Sequence, residues 1–164
     1  METTTPLYRT VNSCQIEIAK PCCLVIFGAS GDLTRRKLLP ALYHLFASGM
    51  LPEKFFILGK SRSDMDTERF REIMRSAVKE ALSATFDQKT WEVFSTMLYH
   101  SAFDYSDPSA YGSKLRDILP ALESRHQTMG SRIFYLAVPP IVYEDIIQNL
   151  GAAGLAREET GSSR

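Results

Sequence analysis

Cysteine is scarce in this chain of 164 residues, and the little there is has no spacing that suits chemistry. Cys14, Cys22 and Cys23 are odd in number, two are adjacent and no CxxC pair occurs, so neither a disulfide framework nor a metal site is expected. An excess of one charge is lacking too. Lysine plus arginine and aspartate plus glutamate stand at 19 each, which argues against a global field drawing the protein onto nucleic acid or an anionic membrane. Any bound anion has to be held by local groups. Long apolar runs are also missing: even Cys22 to Phe27 falls far short of a membrane span, and the opening METTTPLYRT lacks the apolar stretch of a secretory signal. The expectation is a reducing, cytoplasmic setting without nucleic-acid or membrane partners. No internal repeat or low-complexity tract is visible.

What is present is an apolar content of 45%, enough to pack the core of one ordinary domain. Residues 1–19 show no sustained period and read as an N-terminal tail or loose edge segment, with the domain expected over residues 20–164. CCLVIFG, residues 22–28, is short, apolar on both faces and closed by glycine, as a buried parallel strand is. Leu38, Leu39, Leu42, Leu45 and Phe46 then recur at helical spacing until Gly49 and Pro52 supply a stop. KFFILGKS, residues 54–61, repeats the strand pattern. Phe70, Ile73, Met74, Ala77, Val78, Ala81 and Leu82 give a second amphipathic helix, with Asp66 at its cap position. A short helix over 88–98, a weak strand over 99–103 and a helix over 111–122 that Pro120 should split come next. RIFYLAV, residues 132–138, is a further strand, and PPIVYEDIIQNL a further helix. Strands alternating with helices predict an α/β fold: a Rossmann-like three-layer sandwich with a mostly parallel sheet and right-handed crossovers.

Between the first strand and its helix lies Gly28-Ala29-Ser30-Gly31-Asp32-Leu33-Thr34, where a parallel sheet offers backbone N–H groups and a helix N-terminus to a phosphate. The pattern is GxxGxxT. Gly28 permits a tight turn, Gly31 lets the backbone approach a pyrophosphate, and the small Thr34 allows close helix–strand packing. A glycine pair at a strand end also serves as a plain turn, but the strand–loop–helix context favours nucleotide binding. No GK[ST] closes the loop, which ranks a P-loop nucleotidase low. A carboxylate beside a pyrophosphate repels it, so Asp32 is expected to cap the helix. Arg35, Arg36 and Lys37 sit where positive charge opposes the helix dipole. At least one is expected to serve a bound anion, with Lys37 facing the active-site cleft; a solvated face is the alternative.

Enzymes that prefer NAD usually carry an acid at the end of the second strand, where it accepts from the ribose hydroxyls. Here that strand ends Gly59-Lys60-Ser61-Arg62-Ser63, with no acid before Asp64. A guanidinium grips phosphate through paired hydrogen bonds and stacks on adenine, while Lys60 and Ser61 are expected to add nearby charge and a donor. The reading is NADP, against the alternative of an ordinary basic loop.

The blocks IFGASGDLTRRKLLPALYHL, FFILGKSRSD, FDYSDPSAYGSKL and RIFYLAVPPIVYEDIIQNL, in that order, resemble the glucose-6-phosphate dehydrogenase family over about residues 22–160. GASGDL followed at the right distances by GxSR and FYLAxPP is specific in combination, where any single block is weak. The resemblance implies NADP-dependent oxidation of glucose 6-phosphate to 6-phosphogluconolactone, the entry to the pentose phosphate pathway. It implies that Gly28 to Arg35 hold the pyrophosphate and Arg62 the 2′-phosphate. Asp104 and Tyr105 would form the adenine-side turn. Tyr135 would lie near the cofactor or serve as a core aromatic, with Ala137, Val138 and Pro139 bordering the nicotinamide. Against the family pattern, this chain ends GLAREETGSSR, without the EKPFG loop, the segment bearing the catalytic histidine or the antiparallel-sheet domain that completes the substrate pocket. His44, His100 and His126 read as ordinary surface or core residues. Hydride transfer needs a base for the hydroxyl proton, and none is evidently placed here. The expectation is thus a truncated enzyme whose isolated chain holds no catalytic residue and is inactive, the full-length form being a homo-oligomer that takes glucose 6-phosphate. The alternatives are a stand-alone NADP-binding or regulatory module and, less favoured, an NADP reductase whose substrate is supplied by a partner chain.

Overall fold

A computed structural model describes residues 8–11 and 14–156, and the side chains from Glu17 onward. Two short strands, β1 (Tyr8–Val11) and β2 (Cys14–Glu17), pair antiparallel with Tyr8 opposite Glu17. Where the sequence suggests a tail or edge segment, this ladder forms its own two-stranded sheet and adds nothing to the main one. Residues 1–7 of that tail lie outside the described residues.

The main sheet has four parallel strands in the order β5-β4-β3-β6: β3 (Cys22–Phe27), β4 (Phe55–Ser61), β5 (Leu98–Ala102) and β6 (Arg132–Leu136). All seven residues of β4 are buried, which explains its apolar run Phe55–Leu58. From β3 the chain passes through a π-helical turn (Thr34–Leu38) and α1 (Leu39–Ala47) to β4. It then follows α2 (Thr67–Ala81) and α3 (Gln88–Ser95) to β5. Asp66 caps α2 as the sequence suggests, accepting from the Arg69 amide at 2.7 Å. The return crosses the sheet through α4 (Pro108–Tyr111), a π-helical turn (Gly112–Arg116) and α5 (Leu119–His126) to β6, and ends with α6 (Tyr143–Ala152). Pro120 lies in the first turn of α5, so the split expected there becomes a helix start.

Each sheet face buries its own core. On one, Cys22, Ile26 and Ile57 pack under Leu39, Tyr43, Phe70, Met74, Trp91 and Phe94. On the other, Val25, Phe27, Phe56 and Leu58 meet Tyr111, Leu115, Leu119, Ile146 and Leu150. Helices on both faces of a parallel sheet make the α/β sandwich that the alternation predicts. The outer edge of β5 is occupied by side chains: Arg71 Nε donates to the Leu98 carbonyl at 3.0 Å, Thr67 Oγ1 accepts from the His100 amide at 3.1 Å, and Lys114 Nζ donates to the Ala102 carbonyl at 3.1 Å. On β6, at the opposite edge, Ile133 and Tyr135 are exposed. A forked pair between Arg132 and Glu123 ties β6 to α5. Cys22 and Cys23 are free and buried, and burial together with the Glu123 charge pushes the Cys23 thiol up to about 12.

Candidate functional site

The connection from β3 leads to one side of the sheet and the return from β5 to the other, so the chain reverses between β3 and β6. In open parallel sheets the carboxyl ends of the strands leave a crevice at such a reversal. Here it measures about 460 Å³ and is lined by Gly28, Ser30, Gly31, Arg62, Ser63, Tyr105, Ala137, Val138 and Pro139.

Its first wall is the turn after β3. Gly28 has φ +85°, and a Cβ there would stand 2.1 Å from the Ala137 carbonyl oxygen, so glycine is required for turn conformation and for close approach to the end of β6. The Gly28 carbonyl accepts from the Gly31 amide at 2.9 Å and from Thr34 Oγ1 at 3.0 Å. Thr34 is fully buried, which gives the third motif position a hydrogen-bonding role as well as a packing one. Ala29 is buried too, and a Cβ on Gly59 of β4 would sit 2.8 Å from its methyl group, so the glycine that lets layers approach stands in the neighbouring strand. The Arg35 amide donates to the Gly31 carbonyl at 3.1 Å. Gly31 therefore opens the helix, leaving the amides of Asp32, Leu33 and Thr34 as first-turn donors without an intrahelical acceptor.

The second wall is the loop after β4. Arg62 and Ser63 are exposed on it, and Ser63 Oγ meets Ser30 Oγ at 3.3 Å across the crevice. Arg62 makes no ion pair among the described residues. Lys60 does not join it. Its side chain is fully buried and absent from the crevice lining: Nζ donates to the Lys114 carbonyl at 2.5 Å and lies 5.1 Å from the centre of the Phe103 ring. Burial, with Lys114 adding repulsion, lowers its pKa to about 7. Ser61 is buried as well, bonded to His100. The charge and donor expected from these two residues thus face the interior.

Tyr105 joins the walls. Its hydroxyl donates to the Lys60 carbonyl at 2.9 Å and accepts from the Gly28 amide at 2.8 Å. The Lys60 carbonyl also accepts from the amides of Gly28 and Ala29, each at 2.9 Å. Those two amides are therefore engaged inside the protein. Burial raises the Tyr105 phenol, as befits a hydroxyl that stays protonated to donate.

The other sequence candidates are dispersed. Asp32 does not cap the helix: its side chain is exposed, and its carboxylate stands 3.7 Å from Arg36 Nη1 one turn on. That position lies inside the first turn, one residue past Gly31, whose carbonyl accepts from the Arg35 amide. Arg35, Arg36 and Lys37 line a separate open groove with Pro40, His44 and Glu80, and none of them reaches the crevice lining. Leu33 is exposed. Asp104 is exposed on its turn, and the Ser106 amide and hydroxyl, with the charge of Arg62 behind them, hold its carboxyl below the usual range. Tyr135 stands on the exposed part of β6, outside the crevice lining. Of the histidines, His100 and His126 are engaged in hydrogen bonds with Ser61 and Tyr99, and His44 is exposed. Sequence reasoning missed the anchoring hydroxyl of Tyr105 and the burial of Lys60. Both depend on partners 45 or more residues away.

Residues 25–164 match the family model described as "Glucose-6-phosphate dehydrogenase, NAD binding domain". Among curated relatives, a glucose-6-phosphate 1-dehydrogenase of Chlamydia muridarum is 39% identical over 145 residues, which is 88% of this chain and 28% of that protein. That of Chlamydia pneumoniae is 44% identical over 130 residues, 79% of this chain and 25% of that protein. A solved structure of glucose-6-phosphate dehydrogenase in complex with its substrate glucose-6-phosphate superposes with a TM-score of 0.73 at 30% identity, covering 83% of this chain and 28% of that one. The chain thus spans between a quarter and a third of the length of these relatives.

Proposed function

Since the chain belongs to the glucose-6-phosphate dehydrogenase family through that family's NAD-binding domain, we propose that it is the NADP-holding part of an enzyme oxidising glucose 6-phosphate. Residues 20–164 make up this cofactor-binding unit. The pyrophosphate rests against the turn Gly28–Gly31 and the helix start that Gly31 opens. Arg62 takes the 2′-phosphate, and Ser30 and Ser63 offer hydroxyls to the bridging region. Asp104 and Tyr105 stand toward the adenine side, and Ala137 to Pro139 toward the nicotinamide. Tyr135 and Lys37, which are absent from the crevice lining, meet cofactor or substrate only in the longer protein.

The observation that carries this reading is that Gly28, Gly31 and Arg62 line one crevice, with no carboxylate among its lining residues. A bound dinucleotide supplies the hydride acceptor. This chain supplies amide donors, a guanidinium and a shaped turn, all of which serve binding and orientation. None of the three histidines is placed as the base that takes the sugar hydroxyl proton, so we assign that step and the substrate pocket to the longer protein.

The test is calorimetric titration of the chain with NADP and with NAD. Arg62→Ala should weaken NADP roughly tenfold to a hundredfold, as expected for loss of charge-assisted hydrogen bonds, and change NAD little. Equal losses for both dinucleotides remove the assignment. Turnover of glucose 6-phosphate by this chain alone contradicts the placement of the base elsewhere.

A further inference from the structure

The loop bearing Arg62 leaves β4 at Ser61 and reaches α2 after Met65, and one imidazole holds both its ends. His100 lies on β5, stacked on Phe70 with ring centres 5.0 Å apart. Its Nδ1 faces the Met65 carbonyl at 3.0 Å and its Nε2 faces Ser61 Oγ at 2.9 Å. A carbonyl only accepts, so Nδ1 carries the proton; in the neutral ring Nε2 is then an acceptor for the serine hydroxyl. Burial favours that neutral ring. Thr67 Oγ1, at the start of α2, accepts from the His100 amide and donates to its carbonyl, fastening the backbone that presents the ring. Ser61 Oγ also lies 3.3 Å from the Ser63 carbonyl. Arg62 and Ser63 thus project from a short loop gripped at entry and exit by one side chain that never reaches the crevice.

We propose that His100 is a positioning residue for dinucleotide selection: by bridging Ser61 and Met65 it fixes the loop that presents Arg62 to the adenosine 2′-phosphate. The inference rests on the assignment of Arg62 above. A guanidinium on a long flexible stem gains most from paired hydrogen bonds when its backbone is already placed, since less freedom is lost on binding. NAD lacks the 2′-phosphate and makes no such demand on the loop.

The experiment measures Kd for NADP and for NAD, with melting temperature, in the full chain and in Ser61→Ala, His100→Phe, the double variant and Arg62→Ala. His100→Phe keeps a flat ring against Phe70 and removes both bridges; Ser61→Ala removes one hydroxyl and serves if the first variant does not fold. Each single variant should weaken NADP roughly two- to tenfold, the scale of one neutral hydrogen bond, with NAD changed by less than about twofold. The double variant should be no worse than His100→Phe, and in the Arg62→Ala background neither change should alter the NADP-to-NAD ratio. Equal weakening of both dinucleotides, or an unchanged ratio while Arg62→Ala collapses it, overturns the positioning role and leaves Arg62 standing. An Arg62→Ala variant that keeps the wild-type ratio takes down both.

Discussion

At the end of β3 the crevice wall is main chain fastened into the fold, whereas at the end of β4 it is a side chain carried on a loop. In the first wall the Gly28 carbonyl and amide and the Ala29 amide are all engaged within the protein, so its shape is part of the folded core. In the second, Arg62 is exposed and has no ion-pair partner among the described residues, so its energy is available to a ligand. The contrast teaches that a change in the first wall should be felt as lost stability and lost binding of any dinucleotide. A change in the second should be felt as altered selection.

The hardest blow to this division is Gly28→Ala. The added methyl meets a carbonyl oxygen at 2.1 Å and stands on a left-handed backbone, so we expect a loss of at least ~2 kcal/mol in stability, read by urea unfolding, with NADP and NAD binding falling together. A variant with normal stability that lost only NADP would merge the two walls into one. Tyr105→Phe comes next, because it withdraws the hydroxyl shared by the Lys60 carbonyl and the Gly28 amide. About 1–2 kcal/mol of stability should go, with a parallel, milder weakening of both dinucleotides. The smallest effect on binding belongs to Lys60→Met, since the lysine side chain is buried and absent from the crevice lining. Its signature is in pH. Lys60 titrates at about 7 in the folded chain and near its ordinary 10.5 when unfolded. Between those values the unfolded chain binds more protons, so stability rises with pH across that window. The methionine variant should flatten that slope in melting curves while leaving Kd for NADP unchanged. A shifted Kd means that the Lys60 side chain does reach the second wall.

Much of this fold was legible because apolar runs closed by glycine, as at Phe27–Gly28, fit few structures except buried strands. Even the weak segment around Tyr99 forms a strand, Leu98–Ala102, since it neighbours the strongly apolar β4. The β1–β2 ladder was not legible, as its residues carry no clean alternation and pair only with one another. For the site, position in the strand–loop–helix unit located the glycine turn and Arg62. Which way side chains point at the end of β4 was hidden. A lysine is expected outside because its burial is costly; here the Lys114 carbonyl and the Phe103 ring receive it inside. Asp32 does not cap because the residue that opens the helix is Gly31, one position earlier.

A single oxygen, the Lys60 carbonyl, receives three donors from two other stretches of chain. The strand, the glycine turn and the Tyr105 segment are thereby riveted at one point, before any ligand arrives. On the assignment proposed above, an incoming dinucleotide meets a finished bed, and the entropy surrendered on docking falls on its own torsions and on the arginine stem rather than on the polypeptide beneath it.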